Sequence, residues 1–280
     1  MRLGYSTWGM PTVPVDQVIP TLARIGFDST ELTVIPGFSA ELDTLDAAER
    51  RRIRALLNRH NLRLAAIAGH RSLLAKDPTD HAENLRRLRG AIDLAVDLAG
   101  PEGLASLDTT AGGISKDWEA ERERLASEVG ELCEYAQRRG VVVGIEAHVD
   151  DALDTPERVL WLIERVGRPN LKTAFDISHF NVQGIPIEHS VELMAPVACF
   201  THIKDERGVG AGFEFLIPGE GEFDYVRYLK AMRAAGYEED ICVEVSFMVQ
   251  RRSNYDPIGA AEQSYATVAR AFESAGIERS

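Results

Sequence analysis

Short apolar runs rich in β-branched residues alternate with longer amphipathic stretches along the whole of the 280-residue chain. Apolar runs of this kind are typical of strands buried on both faces, and the stretches between them have the spacing of helices that cover such a sheet. Strands that alternate with helices run parallel, because each helix returns the chain to the same edge of the sheet. The predicted strands lie near residues 2–7, 29–34, 63–69, 103–110, 141–148, 171–177, 197–204 and 239–246. The predicted helices lie near residues 15–25, 46–60, 79–99, 116–139, 155–166, 186–195, 223–235 and 257–275.

Residues that favour helix ends support several of these boundaries. Asp46 followed by Glu49 has the spacing of a capping box, and Thr155 before Pro156 supplies a cap with proline in the first turn. Glycine also stands where five of the helices are expected to stop, at Gly26, Gly140, Gly167, Gly236 and Gly276.

The number of strand–helix units distinguishes between the two common parallel folds. Eight units of roughly 30 residues match a closed (β/α)8 TIM barrel. An open doubly wound sheet usually has fewer units and a glycine-rich first turn, whereas residues 6–10 here read Ser-Thr-Trp-Gly-Met. No proline-rich linker or change of composition divides the chain. We therefore predict one α/β domain, a TIM barrel over residues 1–280.

The amino-acid composition limits the kinds of molecule that the chain is expected to bind. With 31 basic and 44 acidic residues, the formal net charge is −13, which disfavours nucleic acid because its phosphates would be repelled. No stretch approaches the ~20 apolar residues of a membrane span, and the first residues lack the basic and apolar regions of a secretory signal. The three cysteines are widely spaced among apolar neighbours, which is typical of reduced core thiols. We predict a cytoplasmic protein that acts on a small molecule.

Four polar residues stand at the carboxyl ends of the last four predicted strands: Glu146, Asp176, His202 and Glu244. Such residues converge at the mouth of a barrel, where barrel enzymes place their chemistry. Three carboxylates and one imidazole can hold one divalent cation. Because oxygen ligands dominate this set, Mn²⁺ and Mg²⁺ are favoured over Zn²⁺, with Co²⁺ as a further alternative.

Other candidate site residues follow from position along the strands. Side chains two residues apart share a face, so His148, Lys204 and Ser246 point the same way as the ligands that precede them and become candidate contacts.

The early strand ends supply three more candidates, namely Glu31, His70 and Trp8, with ordinary packing as the alternative for Trp8. Arg207 is predicted to contact a substrate hydroxyl or carboxylate, or else to be a solvated loop charge.

The segments 144–148, 175–179, 201–205 and 243–246 read Gly-Ile-Glu-Ala-His, Phe-Asp-Ile-Ser-His, Thr-His-Ile-Lys-Asp and Val-Glu-Val-Ser. In this order they resemble the xylose isomerase-like superfamily of sugar isomerases and epimerases, and residues 219–224 resemble its Pro-Gly-x-Gly-x-x-Asp segment. The resemblance covers nearly the whole barrel. It implies that Glu146, Asp176, His202 and Glu244 bind the metal and that His179 and Lys204 face the substrate.

These residue types suit proton abstraction beside a carbonyl. A divalent ion can polarise the carbonyl of a keto-sugar and stabilise a metal-bound enediolate. Glu146 and Glu244 could then act as base and acid. We predict a sugar isomerase or epimerase, which we rank slightly ahead of a lyase.

Departures from the family pattern leave alternatives open. Apurinic-site endonucleases hold three metals with additional histidines, but the fourth strand here offers Asp108 and no histidine. Free-ketose 3-epimerases differ at residues 147–150, and Arg207 stands one position from their arginine.

The segment 244–252 resembles the large subunits of C-glycoside deglycosidases, lyases that eliminate from 3-oxo-glycosides with a small partner subunit. In that case His148 would be the base. An inosose dehydratase and a silent carbohydrate-binding subunit are further alternatives. The chain is expected to form a homo-oligomer or to bind such a partner subunit.

Overall fold

The computed structural model describes residues 1–100, 103–112 and 116–280. Ten strands are present among these residues, and eight of them belong to one sheet. In chain order the strands are β1 (Arg2–Ser6), β2 (Ser29–Thr33), β3 (Arg63–Ala68), β4 (Ser106–Thr110), β5 (Val143–Glu146), β6 (Leu171–Asp176), β7 (Ala198–Ile203), β8 (Asp205–Arg207), β9 (Glu214–Leu216) and β10 (Asp240–Val243).

The sheet is a closed parallel barrel. Strands β1 to β7 follow one another around it, and β10 lies between β7 and β1. The closing pair sets Arg2 opposite Asp240 and Tyr5 opposite Val243. The predicted (β/α)8 TIM barrel is confirmed, and the eight barrel strands lie within three residues of their predicted bounds.

The helices alternate with the barrel strands. They are α1 (Val15–Ile25), α2 (Ala47–His60), α3 (Pro78–Asp97), α4 (Trp118–Gln137), α5 (Pro156–Val166), α6 (Ile177–Asn181), α7 (Ile187–Met194), α8 (Tyr225–Ala234), α9 (Phe247–Gln250) and α10 (Pro257–Ala275). Eight of these match the predicted helices to within two residues, and the short α6 and α9 were not predicted. Within the described ranges, no helix has the length and apolarity needed to cross a bilayer.

Side-chain caps explain how the short helices arise directly after strands. The carboxylate of Asp176 accepts a hydrogen bond from the Ser178 amide at 2.9 Å, which starts α6. The hydroxyl of Ser246 accepts one from the Met248 amide at 3.2 Å, which starts α9. Because each cap satisfies an amide that has no partner within the helix, α6 can begin directly after β6, and α9 can begin after residues 244–246.

The expected helix starts are only partly confirmed. Asp46 caps α2 by accepting from the amides of Ala48 at 2.8 Å and Glu49 at 2.9 Å. Glu49 instead pairs with Arg52 at 2.7 Å, an i,i+3 ion pair on the helix surface. The capping box is therefore replaced by a single cap.

An antiparallel hairpin, β8–β9, follows β7 and was not predicted because each of its strands has only three residues. Asp205 anchors this hairpin, since its buried carboxylate accepts from the amides of Gly219 at 2.7 Å and Gly221 at 3.0 Å. A Cβ atom at Gly221 would lie 2.6 Å from the Glu206 carbonyl oxygen. Part of the glycine-rich segment 219–224 thus holds the hairpin in place.

The barrel interior below the rim is apolar. A cluster of buried side chains lies there, formed by Ala66, Ala174, Phe200 and Cys242. The polar residues at the rim consequently rest on a layer that excludes water, where electrostatic interactions are strong.

Candidate metal centre and active site

The four predicted ligands lie side by side at the carboxyl end of the barrel. Glu146 ends β5, Asp176 ends β6, His202 lies in β7 and Glu244 directly follows β10. These strands are consecutive around the barrel, so their ends face one site. All four side chains are buried, and none of the four is more than 6% exposed.

The imidazole of His202 stands between two of the carboxylates. Its Nδ1 atom is 3.3 Å from Oε1 of Glu146 and 3.5 Å from Oε2 of Glu244. Glu146, Asp176 and His202 each offer a ligand atom within 4.8 Å of the others, as do Glu31, His202 and Glu244. Three buried carboxylates that converge on one imidazole suit a divalent cation, because the cation would offset their mutual repulsion.

A buried ammonium already offsets part of this charge. Lys204 contacts Oδ2 of Asp176 closely, and its Nζ atom is 2.8 Å from Oε1 of Glu244. Burial lowers the pKa of Lys204, but Asp176, Glu244 and Glu146 outweigh that effect and raise it. Burial raises the pKa of Asp176, but the neighbouring ammonium of Lys204 outweighs that effect, and the pKa is lowered to about 2. The pair is therefore held in its ionised form.

Glu31 lies behind His202 and is fully buried. Its Oε2 atom is 3.0 Å from Nε2 of His202 and also accepts a short hydrogen bond from the hydroxyl of Ser6. Glu31 was predicted to contact the substrate. The structure instead places it against His202, and it does not line the cavity described next.

A cavity of about 280 Å³ opens in front of the centre. The residues that line it are Trp8, His70, Thr110, Glu146, His148, Asp151, His179, Lys204, Phe215, Glu244, Ser246 and Phe247. Eight of the residues named in the sequence analysis therefore line one cavity. They are Trp8, His70, Glu146, His148, His179, Lys204, Glu244 and Ser246.

One wall of the cavity carries two stacked imidazoles. The rings of His148 and His179 have centroids 3.9 Å apart. Nδ1 of His148 is 2.6 Å from the Val149 carbonyl oxygen, which can only accept, so in the neutral ring that nitrogen carries the proton and Nε2 is the acceptor. Burial and the neighbouring His148 lower the pKa of His179 well below its usual value, so His179 is neutral.

The opposite wall is aromatic. The Trp8 ring contacts the rings of Phe38, His70 and Phe247, with centroids 5.3, 5.2 and 4.7 Å apart. Phe247 is 41% exposed at the cavity mouth. Trp8 therefore fits both predicted alternatives, because it packs within an aromatic cluster and also lines the cavity.

His70 connects the aromatic wall to a buried acid that was not predicted as a site residue. Its Nε2 atom is 3.3 Å from Oδ2 of Asp108, and its Nδ1 atom is 3.9 Å from Oε2 of Glu146. Asp108 is fully buried, and burial together with the charges of Glu146 and Glu31 raises its pKa well above the usual value.

Some site features could not be read from strand positions. Asp151 lies in the loop after β5, and Phe215 comes from the unpredicted hairpin. Arg207 was predicted either to contact the substrate or to be a solvated loop charge. Its side chain is 52% exposed on that hairpin and donates to the Glu220 carbonyl oxygen at 2.6 Å. The structure therefore does not bring Arg207 to the cavity.

The sequence profile of the xylose isomerase-like TIM barrel family matches residues 19–271. The chain belongs to this family. Members related to it include fructoselysine 3-epimerase of Shigella flexneri, 23% identical over 256 residues that cover 89% of this chain and 91% of the relative. Inosose isomerase of Bacillus velezensis is 27% identical over 130 residues, 44% of this chain and 46% of the relative. The chain thus spans less than half the length of that isomerase, and it spans 41% of MJ1311 of Methanocaldococcus jannaschii.

Solved structures of the family share this fold. An L-ribulose 3-epimerase superposes with a TM-score of 0.78 at 19% identity, covering 98% of this chain and 95% of that one. The IOLI protein with a bound zinc atom superposes with a TM-score of 0.79 at 18% identity, covering 98% of this chain and 99% of that one.

Proposed function

We propose that this chain is a divalent-metal-dependent isomerase or epimerase that moves a proton beside the carbonyl of a keto-sugar. The observation that carries the proposal is that the carboxylates of Glu146 and Glu244 both approach Nδ1 of His202 and that both residues line the cavity. The related fructoselysine epimerase and inosose isomerase act on compounds of this class and support it. The direct test is solvent deuterium exchange into keto-sugars.

Glu146 and Glu244 are the proposed base and acid. They reach the cavity from β5 and β10, so they can approach a bound sugar from different sides. One carboxylate removes the proton beside the carbonyl, and the other returns a proton to the same or the adjacent carbon. Burial raises the pKa of Glu146, but a hydrogen bond from His202 and the charges of His70 and Lys204 lower it well below the usual value. Glu146 is therefore ionised, which is the form that can accept a proton.

Glu146, Asp176, His202 and Glu244 are the proposed ligands of one divalent ion. When bound, the ion polarises the carbonyl and stabilises negative charge on its oxygen. We favour Mn²⁺ because oxygen ligands dominate, while the zinc-bound IOLI protein and a magnesium complex of a Mycobacterium smegmatis relative support a divalent ion more generally.

Removal of the metal is expected to abolish activity reversibly. Dialysis against a chelator should reduce turnover at least about 100-fold, because a Lewis acid contributes several kcal/mol to such a step. Mn²⁺ added back should restore turnover, and circular dichroism should show an intact fold throughout. Full activity in protein shown by elemental analysis to be metal-free would contradict the proposed cofactor.

Four further residues are proposed to orient the sugar. Neutral His179 can exchange a hydrogen bond with a hydroxyl, and Nε2 of His148 can accept one from the same wall. His70 and Trp8 face them across the cavity. In a lyase, His148 would serve as the base for elimination; the product of the exchange assay separates this alternative, and a silent binding subunit would exchange nothing.

The charges around the cavity favour an uncharged sugar over a sugar phosphate. Among the described residues that line it, Lys204 is the only permanent cation, and Asp176 and Glu244 already bind it. Asp151 adds a further carboxylate away from the centre. A phosphate dianion placed there would meet like charge, which costs several kcal/mol.

We therefore expect kcat/KM for a ketose 6-phosphate to be at least about 100-fold lower than for the parent ketose, a difference of about 2.7 kcal/mol. Parallel progress curves at equal concentration would measure the ratio. Equal or better turnover of the phosphate ester would contradict the uncharged-substrate proposal and leave the proton-transfer proposal standing.

A further inference from the structure

We infer that Glu31 is a positioning residue that fixes the ring of His202 so that Nδ1 is the atom offered to the metal. The inference rests on the metal centre proposed above. Nε2 of His202 is 3.0 Å from Oε2 of Glu31, whereas Nδ1 is 3.3 and 3.5 Å from the carboxylates of Glu146 and Glu244. The two ring nitrogens thus face different sides of the barrel interior.

The chemistry of a neutral imidazole makes this arrangement selective. One ring nitrogen carries the proton and the other carries a lone pair. An ionised carboxylate can only accept, so with a metal at Nδ1 the remaining ring proton would sit on Nε2 and be donated to Glu31. A carboxylate behind a ligating histidine also holds the ring in place and increases its basicity, and its loss typically reduces metal affinity 10–100-fold.

The position of Glu31 is itself set by its neighbours. It lies in β2 opposite Ser6 of β1, and the Ser6 hydroxyl donates to the same carboxylate oxygen that faces His202. The side chain is fully buried, and His202 lies 171 positions further along the chain. Glu31 therefore contacts His202 from across the barrel interior, on the side of the imidazole away from the other carboxylates.

Asp240 provides a matched control elsewhere in the barrel interior. It begins β10, is 1% exposed and pairs with Arg2 at 3.0 Å, and among the described contacts none joins it to His202, Glu31 or another proposed ligand. Asp240→Asn removes a buried carboxylate without altering the contact of His202 with Glu31.

The experiment compares Zn²⁺ affinity in wild type, Glu31→Gln and Asp240→Asn by competition with a chromogenic chelator. We expect Glu31→Gln to bind Zn²⁺ about 10–100-fold more weakly and Asp240→Asn to remain within about threefold of wild type. Affinity of Glu31→Gln within threefold of wild type, or equal losses in both variants, would overturn the inference. Absence of binding by folded wild type would overturn the metal centre as well.

A second measurement requires no variant. Wild-type protein labelled with ¹⁵N-histidine and loaded with diamagnetic Zn²⁺ should show His202 protonated at Nε2 and metal-bound at Nδ1 in long-range ¹H–¹⁵N spectra. Resonances that show the proton on Nδ1 would overturn the inference even if the protein is fully active.

Discussion

Replacement of Glu244 by glutamine is expected to reduce turnover at least about 10²–10⁴-fold while the barrel stays folded. The amide cannot take up or return a proton, and it is a weaker ligand for a hard cation. Glu244 directly follows β10, and its carboxylate faces Lys204 and His202, so glutamine keeps the size of the side chain and removes its charge. The loss should therefore appear in kcat, measured with the best substrate of the exchange panel.

Glu214→Gln is the matched control for this variant. Glu214 is a carboxylate on the hairpin beside the site, but its side chain is 62% exposed and does not line the cavity. Its replacement should leave kcat within about twofold, since surface charges away from a site have small effects. Elemental analysis of both variants separates loss of metal from loss of acid–base function. Near-wild-type turnover in Glu244→Gln would refute its essential role.

Replacement of Lys204 by methionine should produce the largest loss of stability. Its ammonium is 2% exposed and compensates two buried carboxylates, Asp176 and Glu244. Removal of one partner from a buried ion pair leaves an uncompensated charge and costs about 3–5 kcal/mol. Urea unfolding of metal-free protein measures the change, and added Mn²⁺ should recover part of it because ligand binding stabilises the folded state.

Lys116→Met offers the control, because Lys116 also pairs with an aspartate, Asp150, but the two side chains are 66% and 65% exposed. Exposed pairs contribute about 0–1 kcal/mol, so this variant should unfold near wild type. If Lys204→Met lost no more stability than Lys116→Met, the ion pairs of Lys204 would not hold the centre together as the structure indicates.

The sequence predicted the barrel and the convergence of Glu146, Asp176, His202 and Glu244 because both follow from strand order. Parallel strands all end at one rim, so a residue's place at a strand end determines which edge it faces. The same logic brought His148 and Lys204 to the cavity, whereas His179 was predicted from the resemblance to the family. None of these inferences required knowledge of how the loops fold.

The features that sequence analysis missed depend on contacts across the barrel or on loops. Glu31 was expected to meet substrate, but its partner His202 lies on the far side of the interior, which strand position alone does not reveal. Arg207 takes the second of its two predicted roles, that of a solvated charge, because it lies exposed on the β8–β9 hairpin. In the sequence, Asp108 served only to show that the fourth strand has no histidine. Its burial beside His70 makes it part of the centre.

The most direct test of the proposed proton transfer is an exchange experiment. Mn²⁺-loaded protein would be incubated in D₂O with ketoses, inososes and 3-oxo-glucosides and followed by NMR. We expect deuterium to enter the carbon beside the carbonyl of at least one keto-sugar, with an epimer or isomer as the product, and no exchange in Glu244→Gln. If folded, metal-loaded wild type exchanged no proton in any compound of the panel, the proposed isomerase or epimerase function would be contradicted.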